Sequence, residues 1–439
     1  MTAGTEAHGG WLGLSRTDPY GLHNLPYGSF TTSDDARARV GVAVGDRVLD
    51  LTAAAAELLP DRAPALSTGT LDGLLAAGPG GWHDVRAAVT GWLTDERHRD
   101  VVEPLLLPAG DAVMQLPFTV ADYVDFYASE HHAANLGRMF RPDSEPLTPN
   151  WKHLPIGYHG RAGTVVVSGT PVVRPCGQRR TAEGDVVFGP TTRLDIEAEL
   201  GFVVGTPSEL GTAVPLDDFD EHVFGVCVVN DWSARDIQAW EYVPLGPFLG
   251  KSFATSVSPW VVPLAALTSA RVDPPARDPQ LLPYLDDSSA PSWGLDVALE
   301  VRLDGELVSR PPFSAMYWTA PQMLAHMTVN GACLRTGDLY ASGTVSGPRP
   351  EERGTLIELT WNGRDPIRLA DGTTRTFLED GDEVVISAVA PGPDGTRVGL
   401  GEVRGTVRPA RDLGSETTTH ARRGSSGHRS GAGARPSSG

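Results

Sequence analysis

Short apolar runs, many of them β-branched, recur along this chain between Gly- and Pro-containing breaks, and their spacing predicts strands more often than helices. RVGVAVGDRVLDL at 39–51 predicts two strands around a Gly45-Asp46 turn, and the Ala-rich, Trp-containing stretch from Ala53 to Arg97 predicts helix. LPAGDAVMQLP at 107–117 carries two prolines and a glycine and predicts a linker, so residues 1–115 read as a small separate N-terminal unit. Beyond it, GTVVVSG (163–169), EAELGFVVG (197–205), HVFGVCVVND (222–231), SPWVVPL (258–264), LDVALEVRLDGELVSR (295–310), GTLIELTW (354–361) and GDEVVISAV (381–389) predict strands. Asp304-Gly305 marks a hairpin within the fifth of these. Few helices intervene, the clearest being AANLGRMF near 133–140 and PQMLAHMTV near 321–329. The pattern predicts a mainly β (α+β) chain whose larger domain, 116–410, is a barrel or sandwich and not a doubly wound sheet. From about Asp412 almost no large apolar residue remains, which predicts a disordered Ser, Gly and Arg-rich tail over 411–439. No internal repeat is present.

Composition narrows the class of partner. With 439 residues, 40% hydrophobic and 21% charged, the chain can bury the core of two domains. A net charge of −19 repels phosphate backbones and anionic membranes, so neither nucleic acid nor a membrane is expected as a partner. Cys176, Cys227 and Cys333 are far apart and include no CxxC pair, which argues against a disulfide framework and a structural zinc site and fits a reduced cytoplasm. The N-terminus lacks the basic and apolar regions of a signal peptide, and no apolar run approaches the ~20 residues of a membrane span. Only Lys152 and Lys251 are lysines among 36 basic residues. A lysine kept in so arginine-biased a chain is a candidate for a site that needs a compact point charge, and for Lys152 chance retention is the simpler account.

The chemistry gathers in three segments. In LDIEAEL at 194–200, alternation puts Asp195, Glu197 and Glu199 on one strand face. Such a face is often simply solvated, but three like charges are also an invitation to a hard divalent cation, which takes carboxylate oxygens. Asp231 closes the apolar strand FGVCVVN, where an acid commonly points into a site at the sheet's rim, with a plain turn the lesser alternative; Asp125 sits among apolar residues in VDFY, where a helix or turn cap is the other reading. Without a soft or imidazole-rich ligand set, zinc is disfavoured.

His131 and His132 follow Asp125 closely, and a neutral imidazole beside a cation-bound substrate can deprotonate water; an ordinary surface histidine is the other reading, and the residues alone do not choose between these readings. Arg235 and Gln238, three apart in an expected helical turn, would present a cation and an amide on one side, suited to an oxyanion or to a plain helix surface. Tyr127, Tyr158 and Tyr242 offer hydroxyls, though tyrosine in a β-rich protein is more often core. GPFLGK does not match a P-loop, and no GxSxG elbow is present.

DFYASEHHAANLGRMFR, PNWKHLPIGYHGRAGTVVVSGTP, LDIEAELGFVVG, FGVCVVNDWSARDIQAWEYVPLGPFLGKSF and YASGTVSGP resemble segments of the fumarylacetoacetase family, and HNLPYGSF at 23–30 with VGVAVGDRVLDL resembles its small N-terminal domain. The resemblance runs from about residue 20 to about 409. It implies an SH3-like N-terminal barrel, a larger C-terminal mixed β-roll of the fumarylacetoacetase fold, a homodimer, and a bound Mg²⁺ or Ca²⁺. It also implies hydrolysis of the diketo diacid 4-fumarylacetoacetate, the last step of tyrosine and phenylalanine breakdown. Carried over by residue, the implied metal ligands are Asp125, Glu197, Glu199 and Asp231, with Lys251 and Thr255 beside the ion. The implied general base is His132, oriented by Glu358. Arg235 and Gln238 match oxyanion donors assisted by Lys251, and Tyr127, Arg141, Tyr158, Gln238, Tyr242 and Thr344 match substrate contacts. QRRTAEGDVVFGP has no counterpart role. The rivals are a related acylpyruvate hydrolase, isomerase, decarboxylase or dehydratase, usually shorter and without the N-terminal domain, and a metal-dependent binder, which would have no use for an oriented base.

Overall fold

The computed structural model describes residues 10–288, 293–412 and 418–419. The N-terminal unit begins with three antiparallel strands, β1 (Tyr27–Thr32), β2 (Arg39–Val44) and β3 (Arg47–Asp50), the last two joined at Gly45, whose φ of 58° suits a tight turn. Asp50 then caps helix α1 (Leu51–Leu58) by accepting a hydrogen bond from the Ala53 N–H, and α2 (Gly78–Thr94) packs nearby. The stretch 107–117 expected as a linker instead supplies strands: β4 (Leu106–Pro108) pairs with β3, and β5 (Ala112–Gln115) pairs with β1. Pro108 sits in an edge strand, where a missing N–H breaks no ladder.

The elements of the larger, C-terminal part follow along the chain. They are β6 (Tyr123–Phe126), α3 (Glu130–Phe140), β7 (Gly157–His159), β8 (Val165–Val167), β9 (Ala198–Val204), β10 (Val223–Asp231), α4 (Arg235–Glu241), β11 (Thr255–Val257), β12 (Trp260–Pro263), α5 (Ala320–Thr328), β13 (Leu339–Ala341) and α6 (Leu356–Leu359). Strands β1 to β13 form one sheet, whose main path runs β4-β3-β2-β1-β12-β10-β9-β13-β6-β7. The N-terminal unit is therefore not separate in hydrogen bonding, because β1 pairs with β12 through Tyr27↔Val261 and Gly28↔Trp260. At this seam Gly28 is required: a Cβ there would lie 2.6 Å from the Pro259 carbonyl oxygen and 2.8 Å from the Trp260 ring.

A second sheet of five strands, from Glu306–Ser309, Ala298–Leu303, Glu383–Pro391, Arg397–Arg408 and Val172–Val173, covers one face of the first. Its inward residues, including Leu299, Val301, Ile386 and Leu400, share a core with Leu200, Phe202, Val226 and Val228 of β9 and β10. The intervening residues Val203, Cys227 and Val229 enter a different core with Val42, Leu49 and Val89 of the N-terminal unit. Covered on both faces, β9 and β10 are apolar on both sides apart from Glu199, Asn230 and Asp231. The architecture is strand-rich and mixed α+β, with a small N-terminal unit and a larger C-terminal one. No helix among the described residues is long and apolar enough to cross a membrane.

Two further expectations change. GTLIELTW is not a strand: Leu356–Leu359 is a helical turn capped by Thr355, which accepts from the Glu358 N–H. The Asp195 carboxylate holds the next free N–H groups, those of Leu356 and Ile357, so a tertiary contact overrides the β-branched pattern. LDIEAEL is not one continuous strand, since Leu194–Asp195 pairs with Ser233–Ala234 and β9 starts only at Ala198. The tail expected over 411–439 falls almost wholly outside the described residues. Within it, Thr418–Thr419 pairs with Val186 and Val187.

Candidate active site

Sheet register assembles the acidic residues. Across β6, β13 and β9, Asp125 faces Ala341, Ala341 faces Gly201, and two residues before Gly201 stands Glu199 opposite Val229 of β10. Asp231 lies two residues beyond Val229 and pairs with Thr255 of β11. All of these positions share the face whose other residues enter the core beneath the N-terminal unit, so Asp125, Glu199 and Asp231 project to the same side. The small residues Gly201 and Ala341 between them leave room. Ligand oxygens of Asp125, Glu197 and Glu199 come within 4.8 Å of one another.

The charges in this cluster do not cancel. Glu197 accepts from Arg235 Nη1 at 2.7 Å and from Lys251 Nζ at 2.6 Å. Lys251 also reaches Asp231 Oδ2 at 2.7 Å, while Thr255 donates to Asp231 Oδ1 at 3.0 Å and Tyr158 to Oδ2 at 3.2 Å. Both Glu199 oxygens and Asp125 Oδ1 are buried with no partner. Burial first, and then the neighbouring Asp231, push the Asp125 carboxyl well above the ordinary range; burial and Asp125 do the same to Glu199. Burial would also raise Glu197, but Lys251 and Arg235 outweigh it and hold that group below its usual value. Unpaired carboxylate oxygens converging in a dry site fit a hard, oxygen-seeking dication. Lys251, an ammonium without a lone pair, contributes counter-charge and not ligation.

Beside the cluster stands a buried histidine dyad. Ser129 caps α3 by accepting from the His132 N–H, and His132 Nδ1 lies 2.6 Å from Glu358 Oε2. Glu358 is fixed from three more directions, by Asn135 at 2.9 Å, Ser346 at 2.9 Å and Thr355 at 3.0 Å. Burial alone would raise Glu358, but His132, Asn135 and Ser346 keep it below its ordinary value, as a carboxylate. An ionised Glu358 accepts a hydrogen bond from Nδ1–H, which leaves Nε2 as the basic nitrogen. His132 acts electrostatically on Glu197, and the Tyr127 ring lies edge-on to it at 5.3 Å. His131, its neighbour, is only half-buried.

The remaining expected residues divide. Arg235 is buried and bonds Gln238 Oε1 through Nη1 at 3.2 Å, so the three-residue spacing in α4 does bring the pair together. Arg235 Nη2 and Thr344 Oγ1 are buried without partners. A cavity of about 110 Å³ opens onto Tyr158, Asp231 and Lys251. Arg141 and Tyr242 are exposed; the Arg141 guanidinium donates to the Pro146 carbonyl, and Tyr242 sits at the end of α4. Asn135, Ser346, Thr355 and the anchoring role of Asp195 were not foreseen. Asn135 lies three residues from His132 on one helix face and Thr355 three residues before Glu358 at a capping spacing, so both have a sequence signal; Ser346 and Asp195 meet Glu358 or Arg235 only through tertiary folding.

Comparison with known proteins bears on this geometry. The family model described as "Fumarylacetoacetase N-terminal" matches residues 23–117, and that described as "Fumarylacetoacetate (FAA) hydrolase C-terminal" matches 122–408. The fumarylacetoacetase of Homo sapiens is 46% identical over 91% of this chain and 99% of its own length. That of Arabidopsis thaliana is 44% identical over 89% and 96%. Among solved structures, a fumarylacetoacetate hydrolase from Exiguobacterium antarcticum covers 88% of this chain and 100% of its own with a TM-score of 0.52, and its 19% identity speaks to the fold alone. With both halves of the chain matched and its length shared with relatives from animals and plants, this protein belongs to the fumarylacetoacetate hydrolase family.

Proposed function

We propose that this enzyme hydrolyses a carbon–carbon bond of 4-fumarylacetoacetate, giving fumarate and acetoacetate, as the final step of tyrosine and phenylalanine breakdown. The observation that carries the reading is the buried His132–Glu358 pair beside a set of carboxylates with unpaired oxygens. Asp125, Glu197, Glu199 and Asp231 would hold Mg²⁺ or Ca²⁺. A hard dication so held supplies Lewis acidity toward the oxygens of a 1,3-diketone.

The chain's own residues account for the proton and charge movements. His132, with Nδ1–H held by Glu358, takes a proton from water at Nε2, and the hydroxide adds to the carbonyl carbon of the fumaroyl group. Arg235, Gln238 and Lys251 stabilise the negative charge that appears on that oxygen. Breaking the carbon–carbon bond sends its electron pair to the acetoacetate carbon, and the proton on His132 is available to neutralise it. Tyr127, Tyr158, Tyr242 and Thr344 contribute hydroxyls to substrate binding, and Arg141 pairs with a terminal carboxylate. A cytoplasmic homodimer is part of the same reading.

The test follows the ultraviolet absorbance of the conjugated substrate on adding purified protein, before and after chelation and with Mg²⁺ or Ca²⁺ restored. Loss that stops on chelation and returns with one ion supports the assignment and identifies the metal. A folded, metal-loaded protein that leaves this substrate untouched but cleaves an acylpyruvate moves the assignment to that related activity.

A further inference from the structure

One buried carboxylate is not used in the proposed chemistry. Asp195 lies outside the group that converges on the cation position, and each of its oxygens is already engaged. Oδ1 accepts from the Ile196 N–H at 2.8 Å and from the Leu356 N–H at 2.7 Å. Oδ2 accepts from Arg235 Nε at 2.8 Å and from the Ile357 N–H at 3.1 Å. The side chain is fully buried, so these four charge-assisted bonds act without competition from water.

The partners join distant parts of the site. Leu356 and Ile357 open the helical turn that carries Glu358, 161 and 162 residues from Asp195 in sequence. Arg235, 40 residues away, uses Nε for Asp195 and Nη1 for Glu197, bridging two carboxylates with the fork of one guanidinium. Asp195 itself is two residues from Glu197. One carboxylate thus sets the spacing between the turn that orients the base and the cation expected to stabilise the oxyanion.

We infer that Asp195 is a positioning residue for the reaction, holding the Glu358 turn and Arg235 in register with each other; the inference rests on the function proposed above. Asparagine matches its shape but supplies one carbonyl oxygen for two, and its amide group then faces a donor whichever way it is turned. A displacement of about 1 Å in catalytic groups can cost on the order of 100-fold in rate.

The test compares wild type, Asp195→Asn, Arg235→Gln and the double variant in steady-state kinetics, with Mg²⁺ binding by calorimetry and thermal midpoints alongside. Asp195→Asn is expected to lower kcat about 10- to 100-fold with KM within about threefold and Mg²⁺ affinity retained. The double variant is expected to lose less than the product of the single losses, because part of the Asp195 effect passes through Arg235. Unchanged kcat in a folded Asp195→Asn protein, or single losses that multiply fully, overturns the inference. Should that variant fail to fold, Asp195→Glu decides: it keeps both carboxylate oxygens but moves them by one methylene, so a fall in kcat with Mg²⁺ affinity retained supports the inference and wild-type kcat overturns it. Wild-type protein with no turnover removes the functional reading and this inference together, whereas active wild type with unaffected variants removes only the inference.

Discussion

His132 and Glu358, 226 residues apart in sequence, meet at 2.6 Å between Nδ1 and Oε2 in a fully buried contact. The pair chooses between two adjacent histidines. Replacing His132 by Ala is expected to lower turnover about 10²- to 10⁴-fold, the range for loss of a general base, while His131→Ala costs little. Turnover measured under saturating substrate checks this, and the reverse order would reassign the base.

Glu199 offers a test in which two readouts move in opposite directions. Both of its oxygens are buried without partners, next to Asp125 and Glu197. Glu199→Gln is expected to weaken Mg²⁺ or Ca²⁺ binding and, by removing one of several crowded acids, to raise the thermal midpoint of the chelated protein. Calorimetric titration and melting of the metal-free form measure both, and unchanged metal affinity would argue against ligation by Glu199.

The pH dependence has a definite sign. Asp125 and Glu199 have folded-state values well above those of an unfolded chain, through burial first and then the charge of Asp231 on Asp125 and of Asp125 on Glu199. Between the ordinary carboxylate range and those raised values the folded, metal-free protein binds more protons than the unfolded chain, so the contribution of these two groups to stability falls as pH rises. Bound metal must displace those protons, so affinity rises with pH and binding releases protons. Calorimetry in two buffers of different ionisation enthalpy should register that release; equal apparent enthalpies would contradict it.

Gly201 is a packing requirement of the same site. A Cβ there would lie 2.7 Å from Val229 Cγ2 and 2.9 Å from Leu339 Cδ1, side chains that are themselves fully buried. Gly201→Ala is expected to destabilise the protein by about 1–3 kcal/mol, as overpacking does, measurable as a lowered denaturation midpoint. A wild-type midpoint would mean that the sheet relaxes around the methyl group.

Local pattern determined much of this protein. Period-two alternation and turn residues specify the β2–β3 hairpin and the Asp304-Gly305 turn, because both depend only on neighbours in sequence. The three-residue spacing of Arg235 and Gln238 likewise settled that they share a helix side. The acids of the candidate site were visible as residues, yet their grouping was not: Asp125 and Glu199 meet through the register of β6, β13 and β9, in which Ala341 and Gly201 carry no chemical signal of their own. Folding also reversed two local expectations. Residues 107–117 became strands by pairing with β3 and β1, and Leu356–Leu359 became a helical turn because Asp195, far away in sequence, satisfies its first N–H groups. Backbone donors and buried charges must find partners wherever the fold supplies them, and those partners lie beyond any local window of the sequence.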